Sequence, residues 1–161
     1  IKGKFFLASH EFKSGNDTAL KKYIAENDDS PFHFDAYRKM VHHYADTKQK
    51  EKELSAYREM LSIFPNDPST LNSYSWRMAE IETNLEDALL KVRKAVVLTA
   101  DDPSRQAGII DTEAEVLWKM GRFDEAIAAI ERAILIEPEN QYFKDQKKKF
   151  IESKKTASQS A

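Results

Sequence analysis

Four histidines, His10, His33, His42 and His43, are the groups best able to hold a metal or move a proton in this chain. His42-His43 with Asp46 close behind has the look of a ligand cluster. Adjacent residues on a helix point about 100° apart, so one ion does not easily take both imidazoles. His42 and Asp46, four apart, share a face, but two ligands fall short of the set that zinc needs. A polar helix face with one half-buried imidazole fits better, and no metal is expected. Asp and Glu number 27, yet the pairs Glu80/Glu82 and Glu113/Glu115 sit two apart and diverge on a helix. Four isolated glycines cannot build a phosphate loop, and no serine or threonine has a histidine at a suggestive position. Cysteine is absent, which removes disulfides, Cys-ligated zinc, iron–sulfur clusters and a thiol nucleophile. No catalytic or cofactor-binding residue is assigned, and the chain is expected not to be an enzyme.

Charge gives little more. Twenty-five basic and 27 acidic residues leave a net charge of −2, so no global field recruits nucleic acid or a membrane surface. From Glu139 to Ala161 six lysines face three acids, including Lys147-Lys148-Lys149. Phe143 and Phe150 interleave with them, as in a nucleic-acid or acidic-lipid patch. The aromatics fall on the face that must cover the preceding helices, so the lysines are expected to be a solvated back. No apolar run is long enough to span a bilayer. A soluble chain is expected, with cytoplasmic and bacterial periplasmic settings both open. It opens on Ile1 rather than Met, as a processed product or a piece of a longer protein would.

The elements that must position these side chains follow from a repeat. Glycine and proline total only nine of 161 residues, about half the usual share, which favours long helices over a turn-rich β architecture. Aligned on Pro31, Pro65, Ala100 and Pro138, the chain falls into columns at steps of 34, 35 and 38. One column reads Ala19, Glu53, Ala88, Ala126 and another Tyr23, Tyr57, Val92, Ile130. A third reads Glu26, Met60, Ala95, Ala133. Each unit holds two stretches with apolar residues at three- and four-residue steps, the spacing of one helix face. Ser30-Pro31, Asp67-Pro68 and Asp102-Pro103 each place a capping side chain before a proline at the first helical position. Gly121 suits a left-handed cap. The extra residues of the last unit lie near Asp101 to Gln106, where they lengthen a loop or the helix after it. Helix pairs are predicted at about 3–13/16–27, 34–46/49–63, 68–82/85–98 and 103–119/123–136. A capping helix at 139–153 completes one domain of residues 1–153, and the polar residues 154–161 are expected to be disordered.

The last unit, Ala114-Glu-Val-Leu-Trp-Lys-Met-Gly121-Arg-Phe123-Asp-Glu-Ala126 with Ile130, Ala133 and Pro138, resembles the tetratricopeptide repeat family. The unit from Ser69 keeps Ala79, Leu85, Ala88 and Ala95, but has Trp76 at a small position. The unit from Phe34 keeps Tyr37, Tyr44, Tyr57 and Pro65, and the first pair fits least. The resemblance implies an all-α fold, a right-handed superhelical stack of antiparallel helix pairs with a C-terminal capping helix. It also implies a non-catalytic scaffold whose concave groove, lined by the first helix of each pair, holds a protein or peptide partner. Carried over column by column, the partner-binding groove is Asp35, Arg38, His42 and Asp46, then Ser73, Arg77 and Glu80 beside Thr70. Asp111, Glu115, Trp118 and Lys119 complete it, and Lys4, Ala8 and Glu11 join if the first pair is a repeat. Trp118 is either an aromatic anchor for a partner, Trp being enriched at interface hot spots, or a packing residue under the capping helix. One subclass clamps acidic tails with Lys and Asn. The matching positions here, Lys4/Ala8, Arg38/His42 and Ser73/Arg77, lack the asparagines.

The phrase Leu71-Asn-Ser-Tyr-Ser-Trp76-Arg-Met-Ala79 also resembles helical-repeat tails of bacterial thioredoxin-like proteins. That implies an accessory or oligomerisation module of a larger enzyme whose catalytic domain lies upstream. A homo-oligomer built through Phe5, Phe6 and Phe12 is the further alternative.

Overall fold

A computed structural model of the chain describes residues 2–13, 17–27 and 31–159. Among them are nine α-helices and no strand. In order they are α1 (Lys2–Lys13), α2 (Asp17–Glu26), α3 (His33–Asp46), α4 (Lys50–Ile63), α5 (Pro68–Glu80), α6 (Leu85–Leu98), α7 (Pro103–Lys119), α8 (Phe123–Ile136) and α9 (Gln141–Gln159). The chain divides into two compact units, Ile1–Ile63 and Phe64–Ala161. Each element packs on its successor as a pair: α1 with α2, α3 with α4, α5 with α6, α7 with α8. The fold is an all-α helical repeat.

Helix starts in the second unit follow the sequence. Asp67 and Asp102 each cap a helix that opens on proline, accepting from the backbone N–H of Thr70 at 2.7 Å and of Arg105 at 3.1 Å. At the third Pro-based start the expectation fails: α3 begins at His33, with Pro31 in the turn before it. Ser30 lies outside the described residues. The extra residues of the last unit lengthen a helix, α7, which has 17 residues against 13 in α5.

Helix ends use one device three times. Gly121 takes a left-handed φ of +73°, and the N–H of Arg122 reaches back to Leu117 O at 2.9 Å. Lys48 and Glu82 adopt the same hand at +57° and +49°. There Gln49 N–H donates to Tyr44 O and Thr83 N–H to Met78 O. These two positions carry a Cβ in a conformation that favours glycine.

Small residues let the helices of the second unit approach closely. Ala88, Ala95, Ala114, Ala126 and Ala133 have no accessible surface, and Val92, Leu117 and Ile130 fill the space between them. A buried carboxylate with two partly exposed arginines ties three helices together. Glu113 on α7, only 4% exposed, accepts from Arg93 Nε of α6 at 2.8 Å and from an Arg132 guanidinium nitrogen of α8 at 3.0 Å. In the first unit Tyr44 donates to Asp17 at 2.8 Å, joining α3 to α2. Burial and the acidic Asp17 push the Tyr44 hydroxyl well above its usual range. His33 is buried with Nε2 2.9 Å from Ile24 O, and His43 packs edge-on against Phe12.

Two expectations are corrected. Phe5 and Phe12 are core residues of the first unit, Phe5 stacking on Phe32 at 4.9 Å. Of the proposed oligomerisation residues only Phe6 is exposed, joined by Leu7. The polar tail is helical as far as Gln159. Its hydroxyls bond back along the helix, Ser153 to Lys149 O, Thr156 to Glu152 O and Ser158 to Lys154 O, and Lys154 pairs with Asp124 of α8. Residues 160–161 lie outside the described residues.

Candidate functional site

The residues expected to line a groove come from α3, α5 and α7. On α3, in the first unit, Arg38 pairs with Asp35 at 3.1 Å, and His42 and Asp46 are exposed. Among the described residues no group of three His, Asp or Glu side chains is arranged to hold a metal. Lys4, Ala8 and Glu11 line an open groove of about 280 Å³ between α1 and α2, with Leu7, Lys22 and Tyr23.

In the second unit α5 and α7 pack together, and their outward residues form a mixed-charge face. Arg77 and Glu80 pair at 3.2 Å along α5. Lys119 of α7 reaches Glu82, just past α5, at 2.8 Å, and Arg105 donates to Ser69 at 2.7 Å. Ser73 and Arg77 are half-buried and Glu80 is exposed. Thr70 is not available: it is fully buried, its hydroxyl donating to Asp67.

The remaining groove residues of α7 face α9 rather than open solvent. The Trp118 ring lies 6.0 Å from that of Phe150, with the Lys149 ammonium 4.2 Å from its centroid and that of Lys119 at 4.8 Å. Trp118 therefore has a packing role and keeps a half-buried edge. Glu115 pairs with Lys149 at 2.6 Å. Asp111, expected on a groove wall, is 6% exposed. It takes a hydrogen bond from Tyr142 of α9, whose hydroxyl accepts from Gln146 at 2.6 Å. Its Oδ1 is buried without a partner. Burial pushes the Asp111 carboxyl up to about 6; Glu115 adds to the rise, while Tyr142 and Lys149 oppose it. The physical reason for the correction is α9, which packs where a further repeat would place its first helix.

Lys149 was missed because the lysine run reads as a solvated face. Lys147 and Lys149 are instead paired, with Glu131 and Glu115. The signal was present in the spacing: Lys149 stands 34 residues after Glu115, one repeat length, so the two align on neighbouring helices.

Residues 108–140, from within α7 to the turn before α9, match the family model of the tetratricopeptide repeat. No curated protein matches the chain in sequence. Among solved structures the chain is similar to PilW, a widely conserved type IV pilus biogenesis factor. The TM-score is 0.62 at 16% identity, over 98% of this chain and 77% of that one. At such identity the likeness is one of fold. The chain thus carries a tetratricopeptide repeat within an all-α helical-repeat fold. Neither finding adds support for the thioredoxin-like resemblance of residues 71–79. No helix among the described residues is long and apolar enough to cross a membrane.

Proposed function

We propose that this tetratricopeptide-repeat chain is a non-catalytic scaffold that holds a polypeptide segment in a concave groove. In the second unit the groove runs along α5 and α7, with Ser73, Arg77, Glu80, Glu115, Trp118 and Lys119 as its polar wall. Asp35, Arg38, His42 and Asp46 on α3 offer a comparable surface in the first unit. One observation carries the reading. The α5–α7 face presents alternating charges, Arg77 beside Glu80 and Lys119 beside Glu82, around the half-buried edge of Trp118. Such pairs are weak when exposed, so they can open and re-form with the backbone and charged side chains of a partner. PilW, similar in fold, is named as a type IV pilus biogenesis factor, but a fold alone does not transfer a role.

The test keeps the internal pair and reverses its polarity. Wild-type chain and an Arg77→Glu/Glu80→Arg variant of equal helicity are used as baits in extracts of the source cells. A protein retained by the first and lost by the second supports the reading. Equal retention by both removes the α5–α7 face from the binding site.

A further inference from the structure

Asp111, Glu115 and Trp118 share the side of α7 that meets α9, since they stand four and three residues apart. Lys149 reaches this side from α9, its ammonium 2.6 Å from Glu115 Oε2 and 4.2 Å from the centroid of the Trp118 ring. A carboxylate beside an indole face is an arrangement that holds a cation, and the chain fills it with its own lysine. One acceptor is nevertheless left over. Asp111 is more than nine-tenths buried, and its Oδ1 has no hydrogen-bond partner; the Tyr142 hydroxyl and the charge of Lys149 act on the carboxyl but leave that oxygen unbonded. Buried polar atoms without partners are rare, and a carboxylate shut from water is costly. The compact ammonium of Lys149 serves Glu115 and leaves Asp111 short. A guanidinium has five N–H donors in a planar fork. It can bridge two carboxylates one helical turn apart and lie flat against the indole.

Resting on the scaffold reading above, we propose that Asp111, Glu115 and Trp118 form a receptor for an arginine side chain of the bound polypeptide, and that Lys149 occupies it in the partner's absence. Lys149 then acts as a tethered competitor. Its side chain is 36% exposed, so its head can turn into water while Phe143 and Phe150, both buried, keep α9 in place.

The experiment is an NMR titration of the Trp118 indole N–H with a blocked Gly-Arg-Arg-Gly peptide. The same peptide with citrulline for arginine, neutral and of equal shape, is the control. Saturable shifts with the arginine peptide and none with the citrulline peptide are expected. Lys149→Met removes the competitor but keeps the alkyl chain, and should tighten binding at least threefold. Glu115→Gln should weaken it at least fivefold. If Lys149→Met loses helicity, Lys149→Gln takes its place. Equal shifts with citrulline, or no tightening on removing the Lys149 ammonium, overturn the proposal. Should the arginine peptide fail while the charge-swapped Arg77/Glu80 variant still loses a captured protein, the receptor is wrong and the scaffold stands. Should both fail, the groove itself is wrong.

Discussion

Replacing Asp111 by Asn should make the protein more stable at neutral pH, by an amount that vanishes in mild acid. Burial raises this carboxyl from 3.8 to about 6, a difference of roughly two pH units at about 1.4 kcal/mol each. Ionised Asp111 therefore costs the folded state on the order of 3 kcal/mol. The residue is 6% exposed, so solvent screens little of this. Between about pH 4 and pH 6 the folded chain holds a proton that the unfolded chain has released. Stability of the wild type from this group must fall as pH rises through that window and level off above it. Asparagine keeps the shape and an acceptor for Tyr142 while removing the charge. Urea unfolding of both proteins at pH 4, 5, 6 and 7 is the assay. The curves should nearly coincide at pH 4 and separate to about 2–3 kcal/mol by pH 7, the variant being the more stable. A variant less stable at pH 7, or a gap independent of pH, would refute the reasoning.

Further outcomes follow from the packing. Lys48→Gly should stabilise by about 1 kcal/mol by relieving a left-handed backbone, and Gly121→Ala should destabilise by about 1–2 kcal/mol, both read by thermal melts. A Cβ at Gly121 would meet nothing within 4 Å, so that second change isolates backbone strain. Glu113→Ala should cost about 2 kcal/mol, because Arg93 and Arg132 are each nearly half exposed and regain water. Arg93→Ala with Arg132→Ala should cost more, about 3–5 kcal/mol, since it strands a buried carboxylate; the reverse order in urea titrations would contradict the burial argument. Ala133→Leu, at a position with no accessible surface, should cost about 1–3 kcal/mol through overpacking, again by urea unfolding.

Much of the fold was legible because it rests on steric rules that act locally. Ala88 and Ala126, and likewise Ala95 and Ala133, stand one repeat step apart because small side chains let the helices of the second unit cross closely. Asp67-Pro68 and Asp102-Pro103 announce helix starts because each satisfies a free N–H and presets the backbone. What escaped was held by context. Lys48 and Glu82 turn left-handed without the glycine that signals it. The helix from Lys154 to Gln159 has no large apolar residue and draws on the hydroxyl back-bonds of Thr156 and Ser158 and on Asp124 of another helix. The candidate site was half legible. The columns bring Arg77, Glu115 and Lys119 to neighbouring helices. They miss that α9 buries Asp111 and seats Lys149 on Trp118, because a repeat pattern stops where the motif's small residues stop.

The central claim is that a polypeptide binds along α5 and α7. A photo-reactive benzoylphenylalanine placed at Glu80, exposed on that face, and separately at Val97, exposed on α6, tests it in extracts of the source cells. A protein adduct at position 80 and none at position 97 is the predicted result. An adduct at position 97 with none at position 80 would contradict it.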